Sequence, residues 1–463
     1  MIKIPGELLA KIIRKALSTG GDYADVYIEH ERPLSIQLED DRLEKVVSGA
    51  DSGIGVRVLF KNKSSYAYSN DFSEESLLRI AEAASRAVRE DKAKDTVLDL
   101  RKVRPQVDFS IKYRPHDIRM EKKIALVENA NRAAKGVSGK IKQVSVIYRD
   151  TVKSICMATS DGTIAEDERI YTIAIVQVVA SEGDVLQTGY EPVGGLTGFE
   201  LFDENPFEET ALKAARKAVA LLSARKAPGG RMPVVISSEA GGTMIHEAVG
   251  HGLEADLAQQ GLSVYTNRVG QQIASPLVTI IDDPTLPNKR GSYRFDDEGT
   301  ASQRTVLVEK GILREYMYDR LTAMKEGRLS TGNGRRQSYK DRPIPRMSNT
   351  FIAPDKGDPR EIIRSVEKGF FVKNMGGGQV NTVTGEFVFE VSEGYIIEKG
   401  QVGEPVRGAT LIGNGPDVLE SIDMVGNDLG FSIGTCGKDS QGVPVSDGMP
   451  TLRIPEIVVG GEA

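Results

Sequence analysis

The chain has 463 residues, 40% of them hydrophobic and 27% charged, with a formal net charge of -6. That balance excludes wholesale disorder and argues against a general nucleic-acid binder. Two Cys in a chain of this length exclude a disulfide framework, and no run of about 18 apolar residues is present to span a membrane.

Residues 1–7 lack the long apolar core of a signal peptide, so the expected location is the cytoplasm. Residues 6–19 place apolar side chains at 8, 9, 12, 13 and 16, one helical face, stopped by Gly20-Gly21. Strands are expected at 23–29, 33–38, 42–48 and 54–60. Ser73 then caps a helix that carries Glu74 and Glu75 in its first turn and runs to about Arg89. A further helix is predicted at 120–135, ending at Gly136. Alternation over 143–179, with Asp161-Gly162 as a turn, predicts a hairpin. Asn205-Pro206 reads as a cap followed by Pro at the first helical position, opening a helix to about Arg225. Ala227-Pro228-Gly229-Gly230 is the expected domain boundary.

Beyond it, one helix is predicted near 239–258 and another near 358–368, after Asp358-Pro359. Otherwise turn clusters such as Asp282-Asp283-Pro284, Gly332-Asn333-Gly334 and Gly413-Asn414-Gly415 punctuate short β-rich runs. The predicted class is α+β. A mixed α/β N-terminal domain (1–227) precedes a β-rich, barrel- or sandwich-like C-terminal domain (231–463).

The strongest chemical signal is His246-Glu247-Ala248-Val249-Gly250-His251, which holds two of the four His in the chain. Imidazoles are the commonest neutral ligands for divalent transition metals. A Glu directly after the first His is placed to take the proton of a metal-activated water. In the zinc-protease pattern H-E-x-x-H the two His lie four apart, about 40° around a helix. Here they lie five apart, about 140° on an ideal helix. Both reach one ion only if the turn is widened or the helix ends there, and Gly250 and Gly252 permit either. A π-type bulge is therefore expected in this segment.

Three residues compete as a third ligand: Cys436, Glu254 and Asp256. Cys436 sits in the glycine-flanked Gly434-Thr435-Cys436-Gly437, and its thiolate suits Zn²⁺. Glu254, three residues after His251, reads equally as a partner that orients an imidazole or as a solvated carboxylate. Cys156 reads as a core residue, and His30 and His116 as structural or surface residues. Arg335 is an oxyanion candidate set against an ordinary ion pair, and Gly376-Gly377-Gly378 a place of close backbone approach set against a mobile turn. Residues 286–346 carry 14 Lys or Arg against 8 Asp or Glu, a local basic excess that suits acidic peptides or a substrate carboxylate, set against pairing with acidic surface elsewhere or with a partner subunit.

The string around His246 resembles the metal-binding motif of the TldD/PmbA family, in its TldD branch. Further landmarks follow in family order. They are Tyr23-Ala24-Asp25-Val26, Gly53-Ile54-Gly55-Val56-Arg57, Arg294-Phe295-Asp296-Asp297-Glu298-Gly299, Ser330-Thr331-Gly332-Asn333-Gly334-Arg335, Pro345-Arg346-Met347-Ser348-Asn349-Thr350 and Cys436-Gly437-Lys438-Asp439-Ser440-Gln441-Gly442. Ser440 departs from the pattern, which has Gly there. The resemblance implies a cytoplasmic metallopeptidase acting on peptides or unfolded segments. It implies one divalent ion per chain, Zn²⁺ first and Fe²⁺ second, held by His246, His251 and Cys436, with Glu247 as the catalytic base. It also implies pairing, with a metal-free TldE (PmbA) subunit or with a second copy. No other cofactor, nucleic acid or membrane is expected. The alternative is a non-catalytic metal-binding subunit or modulator. A thiol enzyme using Cys436 is a third reading.

Overall fold

The computed structural model describes residues 3–86 and 98–461. Its first sheet has eight strands, the longest of them Tyr23–Glu39, Ile141–Thr159 and Thr163–Glu182, paired antiparallel in that order. Apolar residues alternate along them and face two helical layers. On one part of the sheet lie the helices Gly6–Ala16 and Glu74–Ser85, packing Ile12, Ile13, Leu77 and Ala81 against Val26 and Val56. On another lie Met120–Lys135 and Phe207–Leu222, packing Val127, Ala130, Phe207 and Ala214 against Ile36, Val146 and Val176.

Residues 23–29 and 33–38 form one continuous strand instead of two. Pro33 is tolerated because no neighbour needs its missing N–H on that side. Strand Asp51–Phe60 stops pairing at Glu31, and Arg42–Ser48 begins at Leu34. Ser73 caps its helix as expected, accepting from the Ser76 N–H, while the expected end near Arg89 lies outside the described residues. Asn205 is not the cap of its helix. Pro206 holds that position, and the Asn205 amide donates back to the Leu201 carbonyl. Lys63–Ser69 and Val185–Leu196 are further strands without a matching expectation.

The C-terminal part is β-rich and barrel-like. Strands Lys368–Val380, Gly230–Ile236, Leu452–Gly460, Ala409–Asn414 and Glu386–Glu398 pair in sequence, and the last pairs back to the first, closing a barrel. Closure leaves no free edge there. Beside it a six-stranded sheet ends in the hairpin Gly430–Lys438 and Gln441–Met449, with Gly430–Lys438 as its edge. Asp439 and Ser440 make the two-residue turn at φ 49° and 61°. Ser440 thus stands where the left-handed turn favours Gly, and the hairpin forms regardless.

A buried ionic seam joins the two parts. Arg57 binds Asp25, its neighbour across strands, and also Glu298 at 2.7 Å, with all three side chains at most 2% exposed. Arg169 binds Asp297 at 2.9 Å. The acidic run Asp296-Asp297-Glu298 is therefore a docking loop fixed to the first sheet.

Candidate metal centre

The segment predicted as one helix over 239–258 is instead a chain of short turns. It reads as 3₁₀ at Ser238–Ala240, α at Thr243–Ile245, π at His246–Gly250, 3₁₀ at His251–Leu253 and α at Ala255–Gln259. The cause is close packing at its glycines. A Cβ on Gly242 would meet Gly448 N at 2.3 Å, and one on Gly250 would meet the Met347 sulfur at 2.0 Å. The expected π-turn is present, closed by a hydrogen bond from the His251 N–H to the His246 carbonyl. Widening the turn brings residues five apart onto one face, and the two imidazole centroids lie 4.9 Å apart.

Cys436 arrives from the edge strand. Its Sγ lies 3.5 Å from His251 Nε2, and the donor atoms of His246, His251 and Cys436 all fall within 4.8 Å of one another. His246 Nδ1 is 2.8 Å from Asp447, and His251 Nδ1 is 3.0 Å from Glu254. Each carboxylate fixes its ring and leaves Nε2 for the cluster, the arrangement typical around metal-bound His. Glu254 is fully buried and braced by Lys438 at 3.1 Å. It is an orienting partner here. Asp256 lies outside the donor cluster and pairs with Lys438 at 2.7 Å.

The electrostatics follow from this crowding. Burial pushes the Cys436 thiol up, but hydrogen bonds and charge from the two imidazoles bring it down to about 5. Burial works against the His251 cation, yet Glu254 and Cys436 raise it to about 10. Burial would raise Glu254, but Lys438 and His251 bring it to about 2. A thiolate between two imidazoles, each backed by a carboxylate, is a donor set that fits a soft or borderline divalent cation. Glu247 lies partly buried next to these donors, and burial raises its pKa.

Glu247, His246 and Asp447 line a cavity of about 1040 Å³. One wall is the edge strand from Phe431 to Thr435, another the first-sheet strand Val185–Leu196, and a third Gly376, Gly377 and Gly378. Those glycines sit in a bulged part of Lys368–Val380.

Arg335 is not among the cavity-lining residues. It is 1% exposed, and its guanidinium donates to the carbonyls of Met347 and Pro444, so it braces the fold. Cys156 is buried, its thiol pushed up to about 11, while His30 contacts Ser52 and His116 lies at the surface beside Asp117. Asp447 and Lys438 are the residues that sequence reasoning did not assign. Only the strand register reveals them: Asp447 pairs with Ser432 on the face of the hairpin that carries Cys436.

Gly242→Ala tests this packing. The methyl would press on the backbone of 447–448 and on the Asp447 Cβ, neither of which yields easily, so stability is expected to fall by about 1–3 kcal/mol. Asp447 should also shift from His246 and weaken metal retention. Thermal unfolding and metal content read the two effects, and unchanged values for both would contradict the close approach.

Three family profiles match in succession: PmbA/TldA metallopeptidase domain 1 over 24–88, its central domain over 113–222 and its C-terminal domain over 229–461. A metalloprotease TldD homolog of Haemophilus influenzae is 38% identical over 449 residues, covering 95% of this chain and 93% of the relative. A Thermotoga maritima protein described as a candidate modulator of a DNA gyrase superposes with a TM-score of 0.81 at 21% identity, covering 98% of this chain and 99% of the other. TldE of Thermococcus kodakarensis superposes at 0.75 and 16% identity, covering 98% and 100%. Matched from residue 24 to residue 461, the chain belongs to the PmbA/TldD metallopeptidase family.

Proposed function

We propose that this chain is a metal-dependent peptidase that hydrolyses extended or unfolded peptides. The observation that carries this reading is Glu247, a carboxylate next to the His246, His251 and Cys436 donors and on the wall of the large cavity. A site that only braces a fold closes with four protein ligands and has no use for a base. Three donors and an adjacent carboxylate suit catalysis and disfavour the non-catalytic modulator. Zn²⁺ is the first choice for two imidazoles and a thiolate, with Fe²⁺ second.

Such an ion, when bound, polarises the scissile carbonyl and makes water acidic enough to ionise near neutral pH. Glu247 accepts the proton of the attacking water and delivers it to the leaving amine. Asp447 and Glu254 hold the two imidazoles in register throughout. The edge strand Gly430–Lys438 receives substrate by backbone pairing, which reads little side-chain information and requires an extended chain. In this proposal residues 1–227 form one domain and 231–463 the metal-bearing one, with the cavity between them. A TldE-type subunit or a second copy closes the cavity in the cytoplasm.

Glu247→Gln is expected to lower hydrolysis of an unfolded polypeptide by about 10²–10⁴-fold with metal content unchanged. Cleavage that survives the change would overturn the assignment. Inhibition by a chelator, reversed by Zn²⁺, separates this chemistry from a thiol enzyme using Cys436.

A further inference from the structure

The edge strand has two faces. Ser432, Gly434 and Cys436 share the face with Asp447, which looks at the His246 turn. Phe431, Ile433 and Thr435 share the other with Ser446. Two cations are built onto that second face. Lys289 lies over the Phe431 ring at 4.2 Å and lines the cavity. Arg290 is fixed by its own backbone N–H on Ser446 Oγ at 2.9 Å. Its guanidinium reaches Gly434 O at 3.0 Å and Thr435 Oγ1 at 3.2 Å, one residue along the strand from Cys436. Arg149 is close enough to both Arg290 and Tyr190 to act on them electrostatically, and Tyr190 also lines the cavity.

What these cations lack is a counter-charge. Among the described residues no carboxylate lies within 4.0 Å of Lys289, Arg290 or Arg149. Burial lowers the Lys289 pKa with no charged group acting against it. Burial also brings Arg290 down to about 10; Tyr171 and Tyr190 act against this, while Arg335 and Arg149 push the same way. A half-buried guanidinium among other cations is costly unless an anion joins it. The cavity's own carboxylates do not serve them: Glu191 is held by Lys217 at 2.5 Å, Glu200 by backbone N–H groups, and Glu204, Glu239 and Glu247 line the cavity without pairing with these cations.

We propose that Lys289 and Arg290, supported by Arg149, form a carboxylate subsite for the substrate peptide. The inference rests on the extended-peptide reading above and deepens it. A peptide lying along the edge strand turns alternate side chains to the two faces. Residues on the metal face meet the catalytic groups, and residues on the other face meet the cations. The favoured substrate carries a carboxylate there, supplied by an Asp or Glu side chain or by a free C-terminus. Guanidinium and ammonium groups donate charge-assisted hydrogen bonds to either source.

The test is equilibrium binding to metal-loaded Glu247→Gln protein, read by fluorescence anisotropy at low ionic strength. Four dye-labelled probes share one short extended sequence: Asp or Asn at a central position, each as C-terminal acid or amide. At least one acidic probe is expected to bind about tenfold tighter than the Asn amide, the size of one net hydrogen bond to a charged group. Loss on Asp→Asn assigns the side chain as the source, and loss on amidation assigns the terminus. The preference should collapse to about one in Lys289→Gln and in Arg290→Gln. The Lys289 variant keeps the test valid if Arg290→Gln does not fold. Equal affinity for all four probes, a preference that survives both substitutions, or no binding at all overturns the subsite. Cleavage by the wild-type chain is scored separately. Probes that bind with the expected preference but are not cut would leave the subsite standing and remove the peptidase reading.

Discussion

Cys436→Ser is expected to strip the metal from the chain and, with it, essentially all hydrolysis. Elemental analysis of wild type and variant purified side by side should give about one ion per wild-type chain and far less in the mutant. The substitution exchanges one atom. Serine keeps the size and the strand backbone, including the Cys436 carbonyl that Arg346 binds. What is lost is a thiolate, held ionised near neutrality by the two imidazoles. A serine hydroxyl stays protonated in that position and is a harder, weaker donor for Zn²⁺. Two imidazoles alone then hold the ion. Far-UV circular dichroism should be unchanged, which separates loss of the ligand from loss of the fold. Full metal content and full activity in the variant would remove Cys436 from the ligand set. Loss of the metal, by contrast, would link two segments 185 residues apart in one site.

Much of that site is legible in the sequence, because its key feature is local. His246, Glu247 and His251 fall within six residues, and the five-residue spacing requires a widened turn that the flanking glycines make available. Glu254 is likewise local, three residues from His251. Asp447 and Lys438 are not, because they meet the His turn only through the register of Gly430–Lys438 against Gln441–Met449. Local pattern does not encode register. The same limit explains three departures in the fold. One helix is predicted near 239–258, but Gly241 stands at φ +67° and Gly242 is pressed against the backbone of 447–448, so the chain breaks. The sequence pattern divides 23–29 from 33–38, but the neighbours change beside Pro33 and the strand runs through. Arg335 among glycines suggests a free donor, but Met347 and Pro444 carbonyls occupy it. The acidic run 296–298 carries a functional look with no metal role among the described residues. Its partners, Arg57 and Arg169, come from strands of the first sheet.

Those partners set the second large effect. Arg57→Met is expected to destabilise the chain by about 3–5 kcal/mol, because it leaves buried charge without its counter-ion. Among the described residues Arg57 alone joins Asp25 to Glu298, and the next cation, Arg336, is 3.8 Å from Asp25. Arg57→Lys keeps the charge but loses the fork that spans both carboxylates, so its loss should be smaller. The effect should also depend on pH. Asp319 is fully buried beside Glu298, and burial with that neighbouring charge raises its carboxyl from 3.8 to about 7, although Arg57 holds it down. A carboxyl raised on folding contributes stability below its unfolded pKa, about 4, and loses it as pH climbs through the folded value. Removing Arg57 moves the Asp319 value further up and widens that window. The gap between variant and wild type should therefore be larger at pH 8 than at pH 6. Denaturant unfolding at the two pH values measures it. A gap that is equal at both, or below about 1 kcal/mol, would mean that the seam is solvated and that the docking loop is held by packing instead.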